Sequence, residues 1–227
     1  VKNGAMASIT SVATLGSNDR VVLYNVDWET YVALRNTLGD RPIRMTYDGS
    51  NLEIMSPSRG NERAKTLLGR MVEALTVELN IPMTGGGSMT FQRSDVERGL
   101  EPDECFWVAS ELLVREKEEL DFTVDPPPDL AIEIDVSPSR LDRPAIYATL
   151  QVPELWIFDG EEVRVELLNR QGAYLPSATS VCFPFLPVHE LASFIALGRK
   201  RSDTETLRLF IDWVREQKFQ VNRPGEE

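Results

Sequence analysis

Asp129–Ser139 reads "DLAIEIDVSPS". Side chains alternate faces along a strand. Leu130, Ile132, Ile134 and Val136 therefore form an unbroken apolar face, and Asp129, Ala131, Glu133, Asp135 and Ser137 a polar one. Glu133 and Asp135 point the same way, roughly 7 Å apart along the strand. A half-exposed antiparallel strand with a wet face would carry this pattern. The context points instead to a central strand, because the stretch follows the prolines of "DPPPD" and precedes "SPSRLDRP", a turn into a helix. Two carboxylates close together in a covered place repel, and burial raises their pKa values. A divalent cation removes both difficulties, and hard ions such as magnesium or manganese take oxygen ligands.

A third carboxylate lies upstream, in "EPDECFWV". Asp103 shares a strand face with Cys105 and Trp107, while Glu104 points the other way and is expected at the surface. The 30 residues between Asp103 and Glu133 (133 minus 103) suit neighbouring strands joined by a short helical excursion. If the two strands pair, Asp103 and Glu133 can share one ion.

Outward from these strands the chain alternates helix and strand patterns. "VDWETYVALRNTLGD" predicts a helix with Asp27 as N-cap and Gly39 as stop, and "RPIRMTYDGSNLEIMSPS" a hairpin around Asp48–Asn51. In "RGNERAKTLLGRMVEALTVELN", Ala64, Leu67, Leu68, Met71, Val72, Leu75 and Leu79 make one stripe at helical spacing. Gly85–Gly87 read as a turn, since no Gly-Lys-Ser/Thr follows to make a phosphate loop. "SELLVREKEELD" predicts a short charged helix, "DRPAIYATLQ" another, and "ELWIFD" and "EVRVELLN" two strands around Gly160. Leu207, Phe210, Ile211 and Val214 form the apolar side of a last helix, which packs on the core or against a second copy. The pattern predicts an α/β fold, bordering on α+β, with helices on a mixed central sheet, an N-terminal helix and hairpin, and a C-terminal helix. One domain is expected over residues 21–200. Residues 1–20 are expected to be a flexible segment or cloning remnant, and 201–227 a helix and tail.

Bulk properties narrow the function classes. The 227 residues are 42% hydrophobic and 26% charged, enough for an ordinary core without staples. No apolar run approaches the roughly 18 residues of a membrane helix. "VKNGAMASIT" has no apolar h-region, so no secretory leader is expected in it. Cys105 and Cys182 make neither a CxxC pair nor a disulfide framework, which suits a reducing cytoplasm. His189 is the single histidine, which argues against a His-rich metal site or a Ser-His-Asp triad, and a helix-start or surface role is expected for it. The net charge of −12 argues against a broad basic surface for DNA, though not against nucleic acid in a cleft where bound divalent ions offset carboxylates.

Taken together, Asp103 after Pro102, the strand bearing Glu133, Arg143 four residues before Tyr147, "VPELW" and "SPSRGNERAKTLLGRMVEAL" are recognisable. Over residues 25–200 the chain resembles the PD-(D/E)xK nuclease superfamily, and more narrowly the Uma2 (Uma-two) family of restriction-endonuclease-like proteins. The resemblance implies a restriction-endonuclease-like core acting on DNA. It implies Mg2+ or Mn2+ held by Asp103, Glu133 and the backbone carbonyl of Ile134. The superfamily's lysine, two positions after the glutamate, is replaced by Asp135, which would hold a second ion or orient water. The basic role would pass to Arg143, which stays protonated and so stabilises charge rather than acting as a base. Glu62 corresponds to the superfamily's helix carboxylate, with Asn61 where the family often has histidine, and Lys65 is a further candidate. By analogy with restriction-type enzymes a homodimer is expected. Two rivals remain: a nuclease-fold module with altered or lost catalysis that serves in binding, and a metal-dependent hydrolase of nucleotides, which suits the acidity better.

Overall fold

The structure is a computed structural model and describes residues 19–39, 41–137 and 139–217. Of the expected N-terminal segment (residues 1–20) and C-terminal helix and tail (201–227), residues 1–18 and 218–227 lie outside the described residues.

The chain opens with β1 (Arg20–Tyr24), for which the sequence shows no clear pattern, and continues into α1 (Trp28–Leu38). Asp27 caps α1 by accepting from the Thr30 N–H at 2.8 Å, and Gly39 ends it at φ 53°. The expected hairpin is β2 (Arg44–Tyr47) and β3 (Asn51–Met55). Its turn is fixed by Asp48 Oδ1, which accepts from the Ser50 and Asn51 N–H groups at 3.0 and 2.7 Å. Ser58 caps α2 (Arg59–Leu79), whose stripe buries Leu67, Leu68, Met71, Val72 and Leu75 as the spacing predicts.

Short strands follow: β4 (Thr84–Gly85), β5 (Phe91–Arg93), β6 (Arg98–Leu100) and β7 (Glu104–Trp107). Helix α3 (Glu111–Val114) is shorter than the charged stretch around it predicts. Beyond it, aspartate side chains take over the backbone: Asp121 Oδ1 accepts from the Thr123 N–H and Asp125 Oδ2 from the Asp121 N–H, both at 2.9 Å. The chain then runs through β8 (Leu130–Ile134), α4 (Arg143–Thr149), β9 (Glu154–Phe158), β10 (Val163–Leu168) and β11 (Tyr174–Ser177). His189 sits in a single 3-10 turn before α5 (Leu191–Gly198) with its ring exposed, as expected, and α6 (Asp203–Gln217) follows.

These strands make two sheets rather than the one expected. The larger has the order β11-β10-β9-β8-β7-β4 and is mixed: β8 and β9 run parallel, the other neighbours antiparallel. The smaller, β1-β3-β2-β6-β5, is wholly antiparallel and absorbs the hairpin. The result is an α/β fold of two sheets and six α-helices among the described residues.

Three apolar clusters hold these layers. On one face of the large sheet, Leu130, Ile132, Ile134 and Phe106 pack on α2, α5 and α6, where Phe210 and Val214 are buried. On the other face, Ala131, Cys105 and Trp107 meet Ile146 and Tyr147 of α4 and Phe91 and Leu100 of the small sheet. Tyr31 of α1 covers the far side of the small sheet through Met45, Tyr47 and Leu52. The β8 alternation is therefore as the sequence predicts, with two corrections nearby. Val136 is 47% exposed, because the strand ends at Ile134 and the apolar face stops with it. Glu104 does point away from Asp103 but is not a surface residue. It lies half-buried against Gly69 of α2, where a Cβ would come within 3.3 Å of its side chain.

Candidate active site between the two sheets

The polar interior lies where the small sheet turns its second face toward the large one. Met45 and Tyr47 of β2 face α1, so Arg44 and Thr46 face inward; by the same alternation Glu53 of β3 does too. Asp103 and Glu133 approach from the large sheet. Strands β7 and β8 pair antiparallel with Glu104 opposite Ile132, which brings the two acids to one end of the ladder on the face shared with Ala131 and Cys105. Asp103 fastens itself there: its N–H donates to the Ile132 carbonyl at 3.1 Å, and its Oδ2 accepts from the Ile134 N–H at 2.7 Å. In a strand a residue's N–H and C=O leave on the same side, so the Ile134 carbonyl is directed toward the Asp103 side of β8.

Arg143 and Tyr147 come from the connection between the parallel strands. Asp142 caps α4 by accepting from the Ala145 N–H at 3.1 Å, and Pro144 presets its first turn. Arg143 and Tyr147 are then one turn apart on a single face, with the guanidinium carbon 5.9 Å from the ring centroid. Both donate to Glu133 Oε1. Arg143 also donates to Thr46 Oγ1 at 2.5 Å and to the Glu101 carbonyl at 2.9 Å, so it ties both sheets to the acid.

Burial dominates the electrostatics. It pushes Glu133 up to about 7; the Asp103 charge adds to this, and Arg143 and Tyr147 oppose it. Burial also raises Asp103, against the pull of the Ile134 N–H, Arg143 and Arg44. The Tyr147 hydroxyl is held well above its usual value by burial and by the neighbouring Glu133.

The other expected residues are less evenly gathered. Glu62, in the first turn of α2, does overhang the site: its Oε1 lies 3.4 Å from Arg44, whose Nε is in turn 3.9 Å from Asp103 Oδ1. Lys65 reaches Glu62 Oε2 at 3.4 Å. Asp135 stands apart. It follows the last residue of β8, its N–H donates to the Phe158 carbonyl at 2.8 Å, and its carboxylate has no hydrogen-bond or ion-pair partner among the described residues. Consequently Asp103, Glu133 and Asp135 do not close on one point, and among the described residues no three His, Cys, Asp or Glu side chains form a metal-binding group.

The donors present nevertheless suit a hard divalent ion in kind. Magnesium is commonly held by one or two carboxylates, with water and phosphate oxygens completing its shell. Asp103 Oδ1 has only the distant Arg44 beside it, and Glu133 Oε2 accepts no hydrogen bond among the described residues. Each acid thus keeps one oxygen for an ion.

Two residues that sequence reasoning passed over organise this site. Glu53 is 1% exposed. It pairs with Arg20 of β1 at 2.6 Å and accepts from Ser139 Oγ at 2.9 Å and the Arg140 N–H at 2.8 Å. It thereby pins the loop between β8 and α4. Arg44 is the other, and an Arg at the start of a predicted strand carries no local signal of such a role. Two open clefts, about 470 and 650 Å³, lie elsewhere: one beside Trp107 and Lys117, the other beside Val77 and Asn80.

Comparison with known proteins identifies the family. The sequence model of the Uma2 family, described as "Putative restriction endonuclease", matches residues 28–197. Among curated proteins none matches the chain. Among solved structures, one described as a "putative nuclease belonging to DUF820" from Anabaena variabilis is similar, with 13% identity and a TM-score of 0.46 over 82% of this chain and 99% of that one.

Proposed function

The chain belongs to the Uma2 family, and from that premise we propose that it is a divalent-metal-dependent endonuclease hydrolysing DNA phosphodiester bonds. The observation that carries the reading is the placing of Asp103 and Glu133. They share one face at the end of paired strands, each with an oxygen left uncommitted. In this reading Asp103, Glu133 and the Ile134 carbonyl hold Mg2+ or Mn2+. Bound there, the ion would activate a water and offset charge on the scissile phosphate.

The remaining roles follow from the protein's own groups. Arg143 cannot accept a proton from water. Fixed by Thr46, the Glu101 carbonyl and Glu133, it presents a positive field to a phosphorane-like transition state at little reorganisation cost. Tyr147, one turn further along α4, orients Glu133 through the same oxygen. Glu62 and Lys65, at the outer edge, would order water and contact the DNA backbone. Asp135, beyond the strand end, would orient water or hold a second ion. Contact with DNA would be confined to the surroundings of this site, given the net charge of −12, and two copies would act together on the two strands of a duplex.

One observation favours a second reading. The Arg143 guanidinium already neutralises Glu133, as a resident cation would in a nuclease-fold module that binds without cutting. A single set of assays decides between them. Single-stranded, duplex and supercoiled DNA are incubated with the protein in Mg2+ or Mn2+, beside Asp103→Asn and Glu133→Gln. Metal-dependent cleavage that both substitutions abolish supports the nuclease. Absence of cleavage on every DNA, together with absence of metal binding by calorimetry, would sink it in favour of the module.

A further inference from the structure

Arg44 is nearly enclosed, with 12% of its side chain exposed, yet its one ion-pair hydrogen bond, to Glu62, is long. Its Nη2 stands 3.4 Å from Glu62 Oε1 and its Nε 3.9 Å from Asp103 Oδ1. The Nε is buried and has no hydrogen-bond partner. A buried N–H without an acceptor is unusual and costly. Facing it across a gap wider than a hydrogen bond is Asp103 Oδ1, whose partner oxygen Oδ2 is already engaged by the Ile134 N–H. The one oxygen that Asp103 has left for an ion is therefore the one beside the Arg44 charge. Arg143, by contrast, is tied to Glu133 and both sheets by three hydrogen bonds. Arg20 and Arg143 also bury an Nε without a partner, but each is anchored by short hydrogen bonds through its Nη atoms, whereas Arg44 has only the 3.4 Å contact with Glu62.

A guanidinium and a divalent ion repel strongly at such a separation in a poorly solvated place. Both cannot rest on Asp103 Oδ1. Arg44 already touches a second carboxylate, Glu62, which is 40% exposed and so sits toward solvent.

We propose that Arg44 bridges Asp103 and Glu62 as a resident counter-ion, and that a divalent ion binding at Asp103 displaces it onto Glu62 alone. This rests on the metal-dependent reading above and adds a residue that sets metal affinity without ligating the metal. In the empty state Arg44 joins the Ile134 N–H and Arg143 in compensating the buried Asp103 carboxylate. In the loaded state its unpartnered Nε–H is turned toward the opening, where a phosphate oxygen can accept from it.

The test is Mn2+ titration by calorimetry on DNA-free protein, comparing wild type, Arg44→Gln and Arg44→Lys. Arg44→Gln removes the competing charge and should bind Mn2+ more tightly, by about tenfold or more. Arg44→Lys keeps the charge and should stay close to wild type. A gain in affinity is not what a merely structural defect produces. Thermal melts with and without Mn2+ supply a second readout: the Mn2+-induced rise in Tm should be larger for Arg44→Gln than for wild type, even if the variant is weakened without metal. Equal or weaker Mn2+ binding by Arg44→Gln, with no larger rise in Tm, overturns the proposal while wild-type metal binding keeps the nuclease reading alive. Failure of wild type and Arg44→Gln alike to bind Mn2+ overturns both.

Discussion

Arg143 and Tyr147, one helical turn apart on α4, donate to the same oxygen of Glu133, which they reach from the connection between the two parallel strands. A buried acid, a cation and a phenol thus form one unit, tied to the small sheet through Thr46. Removing one partner of a buried ion pair leaves the other charge uncompensated, which typically costs about 3–5 kcal/mol. Arg143→Ala should accordingly lower the free energy of urea unfolding by that order near neutral pH. A loss below about 1 kcal/mol, the range of surface pairs, would show that the unit is not coupled as drawn.

The pH dependence follows from Glu133. Its folded-state value is raised from 4.5 to about 7, first by burial. Between those values the native protein keeps a proton that the unfolded chain has released, so stability falls as pH rises. The contribution is fully present below pH 4.5 and lost as pH climbs through about 7. Glu133→Gln should flatten this part of the stability profile, measured by urea unfolding from pH 4.5 to 8. Metal should bind the deprotonated acid, so apparent Mn2+ affinity should climb toward pH 7 and then level. An affinity independent of pH across that window would contradict the shift.

Glu53 tests how the loop after β8 is held. With Arg20, Ser139 and the Arg140 N–H all relying on it, Glu53→Ala leaves a buried cation and an orphaned N–H, at a cost of about 3 kcal/mol. Hydrogen exchange should accelerate around residues 139–143 while β10 and β11 keep their protection. Uniform acceleration would mean that Glu53 supports the whole fold rather than that loop.

Glu154 offers the opposite case. It is fully buried at the start of β9, the end of the strand pair away from Glu133, and accepts from Trp156 Nε1 at 2.6 Å and from the Val181 and Cys182 N–H groups at 2.8 and 3.0 Å. Glu154→Gln should lower Tm by several degrees, as a loss of about 1–3 kcal/mol does. Any cleavage rate measured well below the melt should be unchanged. A selective loss of cleavage with an unaltered melt would place the functional centre elsewhere.

The parts of this structure that the sequence foretells are those written locally. The helical stripe of α2, the alternation in β8 and the Asp27 cap of α1 each lie within one element. The pairing of β7 with β8 could be inferred because a short excursion joins them. The second sheet could not, since β6 is three residues with a central glycine, and β1 finds its partner across α1 and the hairpin. Glu104 was assigned the right face but the wrong surroundings, because only the fold reveals that Gly69 leaves room for it. Arg44 and Glu53 were missed for a similar reason: the contacts from Glu53 to the site loop span 86 and 87 residues. Val136 shows the limit of alternation, which holds only while the strand lasts.

The sequence distances inside the site also imply an order of events in folding. Glu133 meets Arg143 and Tyr147 across 10 and 14 residues, whereas Arg143 meets Thr46 across 97. Closing a short loop forfeits less chain entropy than closing a long one, and local contacts form faster. The strand–helix–strand segment from β8 to β9 can therefore assemble its acid, cation and phenol first and serve as a template. The small sheet can then dock on a partner whose charges are already arranged, so that the contacts between the two sheets are expected to form last.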